Sequence, residues 1–568
     1  MKSAIVFLAS VLVLGQQSVG RPAVAPGSAE GAKVEQRTMG DGPATELVAS
    51  FDGLGAGFAG PHGTSAGGNP SDNSLAVGPN HIVQTVNSKF AIFTKKGAKF
   101  ETTGRALHGA VNTNTLFAGF GGTCEARNNG DAVVRYDQLA NRWLFVMPIF
   151  RRGAERPDQP AVPTPGPSAV LSVSGVAGQP GRAFKLITPA PAQTPQPAAT
   201  GAAAPPAAAA GRGTGTPAPQ PTGPYSICYA ISTTDDPTGE YYRYEFLRPL
   251  FPDYPRPAVW PDGYYVPTST GDDVIEKHAC VVDRAKMLKG EPATEQCFII
   301  GDVNFLNNAD LDGTRLPPSR APNMMLATGG TQLKGVLKDD GIYVWNFTVD
   351  WADASRSRLS AVQKINVAPY TYLCGGQLTS CVPQSGTASR LDAQGDKLMA
   401  RVVYRRVTEG RTSYESVVAV HSVDTESSGG GVRWYEFRVN PDRSLRLFQQ
   451  GTYAPDANYR WMASPAIDKA GNIGIGYSFG GPSGFAGQRF AGRRASDPPG
   501  LLTLREATLV EGEAAQSSNR PVQRWQDYTQ TAVDPSDDCT IWYVGDYFKA
   551  GQTTYSTKIG AFKLAGCG

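Results

Sequence analysis

Seven stretches of this chain repeat one pattern: an apolar strand, a turn of Asp, Gly, Asn or Pro, and a second strand of alternating character. They are Ala76–Val86, Val133–Val146, Ala258–Val266, Gly335–Trp345, Arg390–Val402, Ala466–Gly476 and Ala532–Tyr543, the fourth with a poorer first strand. Their Asp-Gly, Gly-Asn and Gly-Asp pairs tolerate the positive φ that tight hairpins demand. Apolar positions recur every second residue within them, so a solenoid of helix pairs is excluded. Further strand candidates lie between the hairpins, at Lys89–Thr94, Ile227–Ser232, Ser416–His421 and Lys558–Lys563. The units recur roughly every 50 to 70 residues, a spacing that fits four-stranded blades with long loops. The pattern predicts an all-β fold, a β-propeller of seven blades. Six or eight blades stay open because the fourth unit is degenerate, and a chain of β-sandwiches is the alternative. The strand around Leu47–Phe51 would complete the last blade and close the ring.

Gly and Pro supply 65 and 44 of the 568 residues, too many for long helices, and they fall into two populations. Some punctuate the hairpins. The rest sit in residues 21–46, read as a flexible leader, and in residues 154–223, where Pro, Ala, Gly, Thr and Gln dominate. Such an insertion buries too little apolar surface to offset the entropy of ordering it. It is expected to be a disordered, low-complexity loop between two strands, with Ala169–Val176 and Phe184–Ile187 able to pair as a short hairpin. The predicted domain is therefore residues 47–568, interrupted at 154–223.

The N-terminus has Lys2, an apolar run from Ala4 to Gly15 and the small-residue site Ser18-Val19-Gly20, which together read as a signal peptide over residues 1–20. A second cleavage point after Ala25 is less attractive because Pro26 follows. The apolar run is shorter than a membrane span needs. Export makes the even cysteine count meaningful, since an oxidising compartment favours disulfides. The grouping predicts Cys280 with Cys297, Cys374 with Cys381, Cys539 with Cys567, and Cys124 with Cys228. Zinc is disfavoured, since five scattered His and no Cys-x-x-Cys offer no ligand spacing. A formal net charge of +3 gives no footprint for nucleic acid or an anionic membrane. The expected localisation is secreted, extracellular or periplasmic. The sequence leaves the oligomeric state open.

Several phrases resemble a widespread group of exported bacterial β-propeller-like proteins of unassigned function. They are Asp72–His81, Gly130–Trp143, Asp253–Tyr265, Tyr459–Met462, and Trp525–Tyr528 leading to Val533–Cys539. The resemblance implies export and a propeller, and brings no reaction, ligand or catalytic residue with it.

Polar residues at the entry to the innermost strands of a propeller converge on one face of its channel. An Asp precedes or opens that position in several units, at Asp72, Asp131, Asp253, Asp396 and Asp527. Arg460 takes the matching place in its unit, and Tyr254, Trp461 and Tyr528 lie beside these charges. Carboxylates, an arginine and aromatics in one funnel suit a sugar or a peptide, or acid–base work by a carboxylate pair. No cofactor is expected, Ca²⁺ being the one ion such carboxylates could take. The acidic stretch Asp302, Asn304, Asn308, Asp310 and Asp312 lacks the spacing of a Ca²⁺ loop and reads as a solvated loop between blades. There is no Ser-x-Asp-x-Gly-x-x-Trp box, Gly-x-Ser-x-Gly elbow, His-Glu-x-x-His or phosphate loop. Two functions compete. One is a binding or scaffold propeller for an extracellular glycan, other polymer or protein; the other is a carbohydrate-active enzyme, a glycosidase or polysaccharide lyase. A carboxyl pair with strongly raised pKa would favour the enzyme, and a ring of ionised, backbone-bonded Asp would favour binding.

Overall fold

The computed structural model describes residues 29–65, 67–150, 224–269, 277–301, 303–330, 337, 339–376, 379–427, 429–518 and 523–567, with the backbone of three short strands between 171 and 185. The expected signal peptide, residues 1–20, and most of residues 154–223 lie outside the described residues. The fold is all-β, and among the described residues most strands form seven successive antiparallel meanders, the fourth and fifth joined by a parallel pairing of Ala309–Leu311 with Val402–Tyr404. Sheet one comprises Ser74–Val77, His81–Val86, Lys89–Thr94 and Ala106–Asn112. Sheet two comprises Val133–Asp137, Arg142–Pro148, Tyr225–Ser232 and Glu240–Arg248, and sheet three Ala258–Trp260, Gly263–Tyr265, Lys277–Val282 and Thr294–Ile300. Sheet four has Asn307–Leu311, Asn323–Gly329 and Gly341–Thr348, edged by Arg358–Leu359 and Gln363–Ile365. Sheet five is Val402–Glu409, Thr412–Asp424, Gly430–Val439 and Leu445–Tyr453, and sheet six is Tyr459–Ile467, Ile473–Gly481, Gly484–Arg493 and Ala507–Val510. Sheet seven joins Gln530–Val533, Ile541–Tyr547 and Ser556–Lys563 to Glu46–Gly55 from the start of the chain, as the Leu47–Phe51 pattern predicts.

The first strand of each sheet lies beside the first strand of the next, and that of sheet seven lies beside that of sheet one. Polar side chains cross these seams. Gln530 Nε2 donates to Leu75 O at 2.6 Å, Arg135 Nε to Pro257 O at 2.8 Å, and Thr531 N to Ser464 Oγ at 3.0 Å. Apolar clusters fill the spaces between neighbouring sheets. Val83 and Phe90 pack with Trp143 and Phe145; Ile227 and Phe246 pack with Val259 and Val282; Phe490 stacks on Phe562 at 4.1 Å. A strand buried on both faces loses its polar alternation, which is why runs such as His81–Val86 and Lys277–Val282 are buried throughout.

Five of the seven sequence units are first hairpins of their sheets, and two are not. The Gly335–Trp345 stretch leads into the third strand of sheet four, whose first strand is Asn307–Leu311. That first strand carries Asn308 and Asp310 from the stretch expected to be a solvated loop. Asp310 and Asp312 are buried, because Arg401 binds both carboxylates. The Arg390–Val402 stretch is the approach to sheet five, and the hairpin follows it, between Val402–Glu409 and Thr412–Asp424.

The expected flexible leader differs from 29 onward. Glu35–Gln36 pairs in parallel with Thr452–Tyr453, Gln36 exchanges two hydrogen bonds with Leu502, and Gly42 N donates to Thr503 O at 2.9 Å. The leader thereby covers the exposed edge of sheet five before it becomes the outer strand of sheet seven. The insertion interrupts a hairpin, since Leu144–Pro148 pairs directly with Ile227–Ile231. Its three short strands do not pair with one another as expected. Leu171–Ser174 adds to Thr294–Cys297 of sheet three, and Val176–Ala177 and Phe184–Lys185 add to the last strand of sheet two.

All four expected disulfides are present: Cys124–Cys228, Cys280–Cys297, Cys374–Cys381 and Cys539–Cys567. Cys124–Cys228 spans 104 residues, so its loss should release the most unfolded-chain entropy. Replacing both cysteines by Ala is expected to cost about 4 kcal/mol in urea unfolding. An unchanged unfolding midpoint would contradict this. Among the described residues no helix is long and apolar enough to cross a membrane.

Candidate functional site

The chain enters several first strands through a residue held at positive φ. Asp72 (50°) precedes Ser74, Tyr254 (44°) precedes Ala258, Gln394 (46°) precedes Val402, and Asp527 (61°) precedes Gln530. An Asp tolerates this region, but Tyr and Gln pay a steric penalty there, and such outliers gather where a site dictates the backbone. The Asp72 amide donates to Gln526 O at 3.1 Å, tying the approaches to sheets one and seven together.

Seven of the nine funnel candidates meet at these approaches. The rings of Tyr254 and Tyr528 stack with centroids 4.2 Å apart. Asp72, Asp131 and Asp253 act on one another and on the Tyr528 hydroxyl. Asp527 is ion-paired to Arg524 and accepts a hydrogen bond from Gln394 Nε2 at 3.3 Å. Asp396 pairs with Lys397 at 3.4 Å and accepts from Asn304 Nδ2 at 2.6 Å. Asp131, Asp253 and Arg524 are the partly exposed members, while Asp72, Tyr254, Asp396, Asp527 and Tyr528 are buried.

Arg460 and Trp461 do not join them. Their sequence slot lies inside the first strand of sheet six, not ahead of it. Arg460 is fully buried, with Nε on Glu506 at 2.8 Å and Nη1 on Asp456 at 2.9 Å. Trp461 packs in the core beside Trp525, their centroids 6.2 Å apart. The cluster at these approaches, termed the mouth, instead gains Arg256, Lys277, Asp392, Lys397 and Arg524. Arg256 and Arg524 stand two and three residues from Tyr254 and Asp527, so the approach position itself pointed to them. Asp392 was concealed in a segment that reads as a hairpin turn.

Burial dominates the electrostatics. Asp72 is pushed up to about 7 by its low-dielectric surroundings, with Arg524 opposing and Asp253, Asp546 and Asp392 reinforcing the shift. Asp131 is held well above the usual carboxylate range by the same desolvation, then by Asp72 and Asp253. Asp392 is raised to about 7 by burial, against the pull of Arg524 and Lys397. Burial also lowers Lys277 to about 8.

The sign for stability follows. In the unfolded chain Asp72 loses its proton near pH 4, while in the folded mouth it keeps it to about 7. The folded state therefore binds more protons between these limits, and stability falls as pH rises through them. Asp72→Asn is expected to match the wild-type unfolding free energy in urea below pH 4 and to exceed it above pH 7 by about 1–3 kcal/mol. Equal shifts at both pH values would contradict the assignment.

Beyond the mouth, paired charged side chains cross the space between the first strands. Arg401 Nε binds Asp310 at 2.7 Å, its Nη2 binds Asp312, and its Nη1 donates to Thr531 O at 3.0 Å. Arg135 Nε approaches Asp310 at 3.3 Å, and Arg135 also interacts with the Tyr254 hydroxyl, so this plug abuts the mouth. Both arginines line a cavity of about 90 Å³. Among the described residues no three mouth carboxylates bring ligand oxygens within 4.8 Å of one another. Among the described residues, the one trio of Asp, Glu, His or Cys ligand atoms within 4.8 Å of one another is Cys280, Glu295 and Cys297, and its cysteines are joined in a disulfide.

No family model and no curated protein matches this chain. Among solved structures it is similar to a point mutant of NanB sialidase from Streptococcus pneumoniae, at 10% identity and a TM-score of 0.35, over 71% of this chain and 64% of that one. This chain thus spans less than two thirds of that sialidase. It is also similar to a PL25 polysaccharide lyase, an ulvan lyase, at 10% identity and a TM-score of 0.33, over 90% and 95% of the two chains. A protein of unknown function from Dyadobacter fermentans is similar at 8% identity and a TM-score of 0.30, over 92% and 100%.

Proposed function

We propose that the seven sheets are the blades of a seven-bladed β-propeller in an exported protein, and that its mouth is the acid–base centre of a carbohydrate-active enzyme. The ring of neighbouring first strands supports the architecture, and four disulfides support export. One observation carries the activity: carboxyls raised by burial, Asp72 to about 7 and Asp131 well above the usual carboxylate range, lie beside a stacked tyrosine pair. A ring built only for recognition would present ionised, backbone-bonded carboxylates. The mouth presents carboxyls of two kinds, raised and ion-paired, which is the separation acid–base catalysis uses.

Asp131 is the raised carboxyl on a partly exposed residue, so it is the candidate proton donor to a glycosidic oxygen. Asp253, also partly exposed, and Asp527, held by Arg524, are the candidates for the opposite role, as base or as stabiliser of positive charge at the sugar. Tyr254 and Tyr528, buried and stacked on one another, back these carboxyls. The test is incubation of the secreted protein with neutral and acidic polysaccharides, detecting both new reducing ends and unsaturated uronates. Product from at least one polymer is expected. Binding with no product from any of them would overturn the enzyme reading and favour a recognition propeller.

A further inference from the structure

We propose that the Arg256 guanidinium recognises an anionic substituent, a carboxylate or a sulfate ester, on the polymer entering the mouth, so that the substrate class is acidic polysaccharide. This rests on the reading of the mouth as a glycan site. Arg256 lies two residues after Tyr254, at the approach to sheet three. Its Nε donates to Leu306 O at 2.5 Å, which fixes the side chain. Tyr254 covers the guanidinium with its ring centroid 4.4 Å away, and Phe305 flanks it at 5.8 Å. The residue is only 2% exposed, yet neither Nη1 nor Nη2 has a hydrogen-bond partner among the described residues.

Other buried arginines of this chain show what such a group ordinarily does. Arg248 is held by Glu295, Arg401 by Asp310 and Asp312, and Arg460 by Asp456 and Glu506. Leaving two charged donors desolvated and unmatched is costly, and an acceptor that arrives with the ligand removes the cost. The two amino groups lie in one plane and match paired oxygens of a carboxylate or a sulfate. Lys277 adds a second cation within interaction range, and Asp253 faces both, which keeps the pair from being a general anion trap. Tyr254 and Tyr528 are 8% and 5% exposed and both Nη atoms of Arg256 are buried, so an anion reaches the guanidinium only where these rings give way, which suits a small charged substituent and not a whole sugar ring.

The experiment compares wild-type binding to polyglucuronate, to its carboxyl-reduced neutral counterpart, to dextran sulfate and to dextran. A uronate specificity predicts at least tenfold tighter binding of polyglucuronate than of the reduced polymer. A sulfate specificity predicts the same ratio for dextran sulfate over dextran. Equal binding within both pairs overturns the proposal. Arg256→Gln should abolish the preference while Arg256→Lys keeps part of it, and a preference that survives Arg256→Gln at unchanged melting temperature also overturns the proposal. If Arg256→Gln fails to fold, the two wild-type comparisons decide alone. Anion-dependent binding without turnover would sink the enzyme reading and leave this one standing. Turnover of neutral polymers with no anion preference would do the reverse.

Discussion

An Asp131→Asn protein is expected to fold as the wild type does and to lose about 10²- to 10⁴-fold of its turnover on whichever polysaccharide it cleaves. The substitution keeps the shape of the side chain and removes the proton that a raised carboxyl can give. The neighbouring backbone is held independently, since Ala132 N donates to Asn87 O at 3.0 Å. Binding should therefore persist, with KM changed far less than kcat. Turnover within twofold of wild type would remove Asp131 from the acid role.

The second large effect concerns the ionic plug. Arg401→Met should cost about 3–5 kcal/mol in urea unfolding, because it leaves the Asp310 and Asp312 carboxylates buried without their main counter-charge. Arg135 remains near Asp310 but does not pair with Asp312. Asp312 already sits above the usual carboxylate range through burial, with Arg401 the leading opposing influence. Combining Arg401→Met with Asp310→Asn and Asp312→Asn should recover much of the loss, since no unpaired charge would then remain. No recovery would mean that the guanidinium acts through packing and its bond to Thr531, not through charge.

The repeat in the sequence exposed most of the architecture because hairpin turns and two-residue alternation are local features. Val133–Val146 and Ala466–Gly476 are hairpins in the structure as their turn residues require. Sheet four was obscured because its first strand carries Asn307, Asn308 and Asp310, polar residues made suitable for burial only by partners such as Leu398 O and Arg401, about 90 positions away. Such partners leave no periodic trace. The mouth was partly legible for the same reason. An Asp ahead of a first strand is visible in sequence, so Asp72, Asp131, Asp253 and Asp527 could be grouped. The pairing of Arg460 and Trp461 with Phe479 and Ser478, which extends the first strand of sheet six ahead of a bulge, is not visible. Neither is the path from Asp392 to Lys397, whose Asp-Ala-Gln-Gly-Asp run has the composition of a hairpin turn and instead brings two carboxyls and an ammonium to the mouth.

The central claim is that burial raises carboxyls of this mouth well above the usual carboxylate range. Carboxyl-¹³C titration of Asp-labelled protein, with Asp72→Asn and Asp131→Asn used to assign the resonances, measures it directly. The expected result is a resonance lost in Asp72→Asn that titrates near pH 7, and one lost in Asp131→Asn that titrates well above the ordinary range. Both resonances titrating below about pH 5, as exposed aspartates do, would contradict the account.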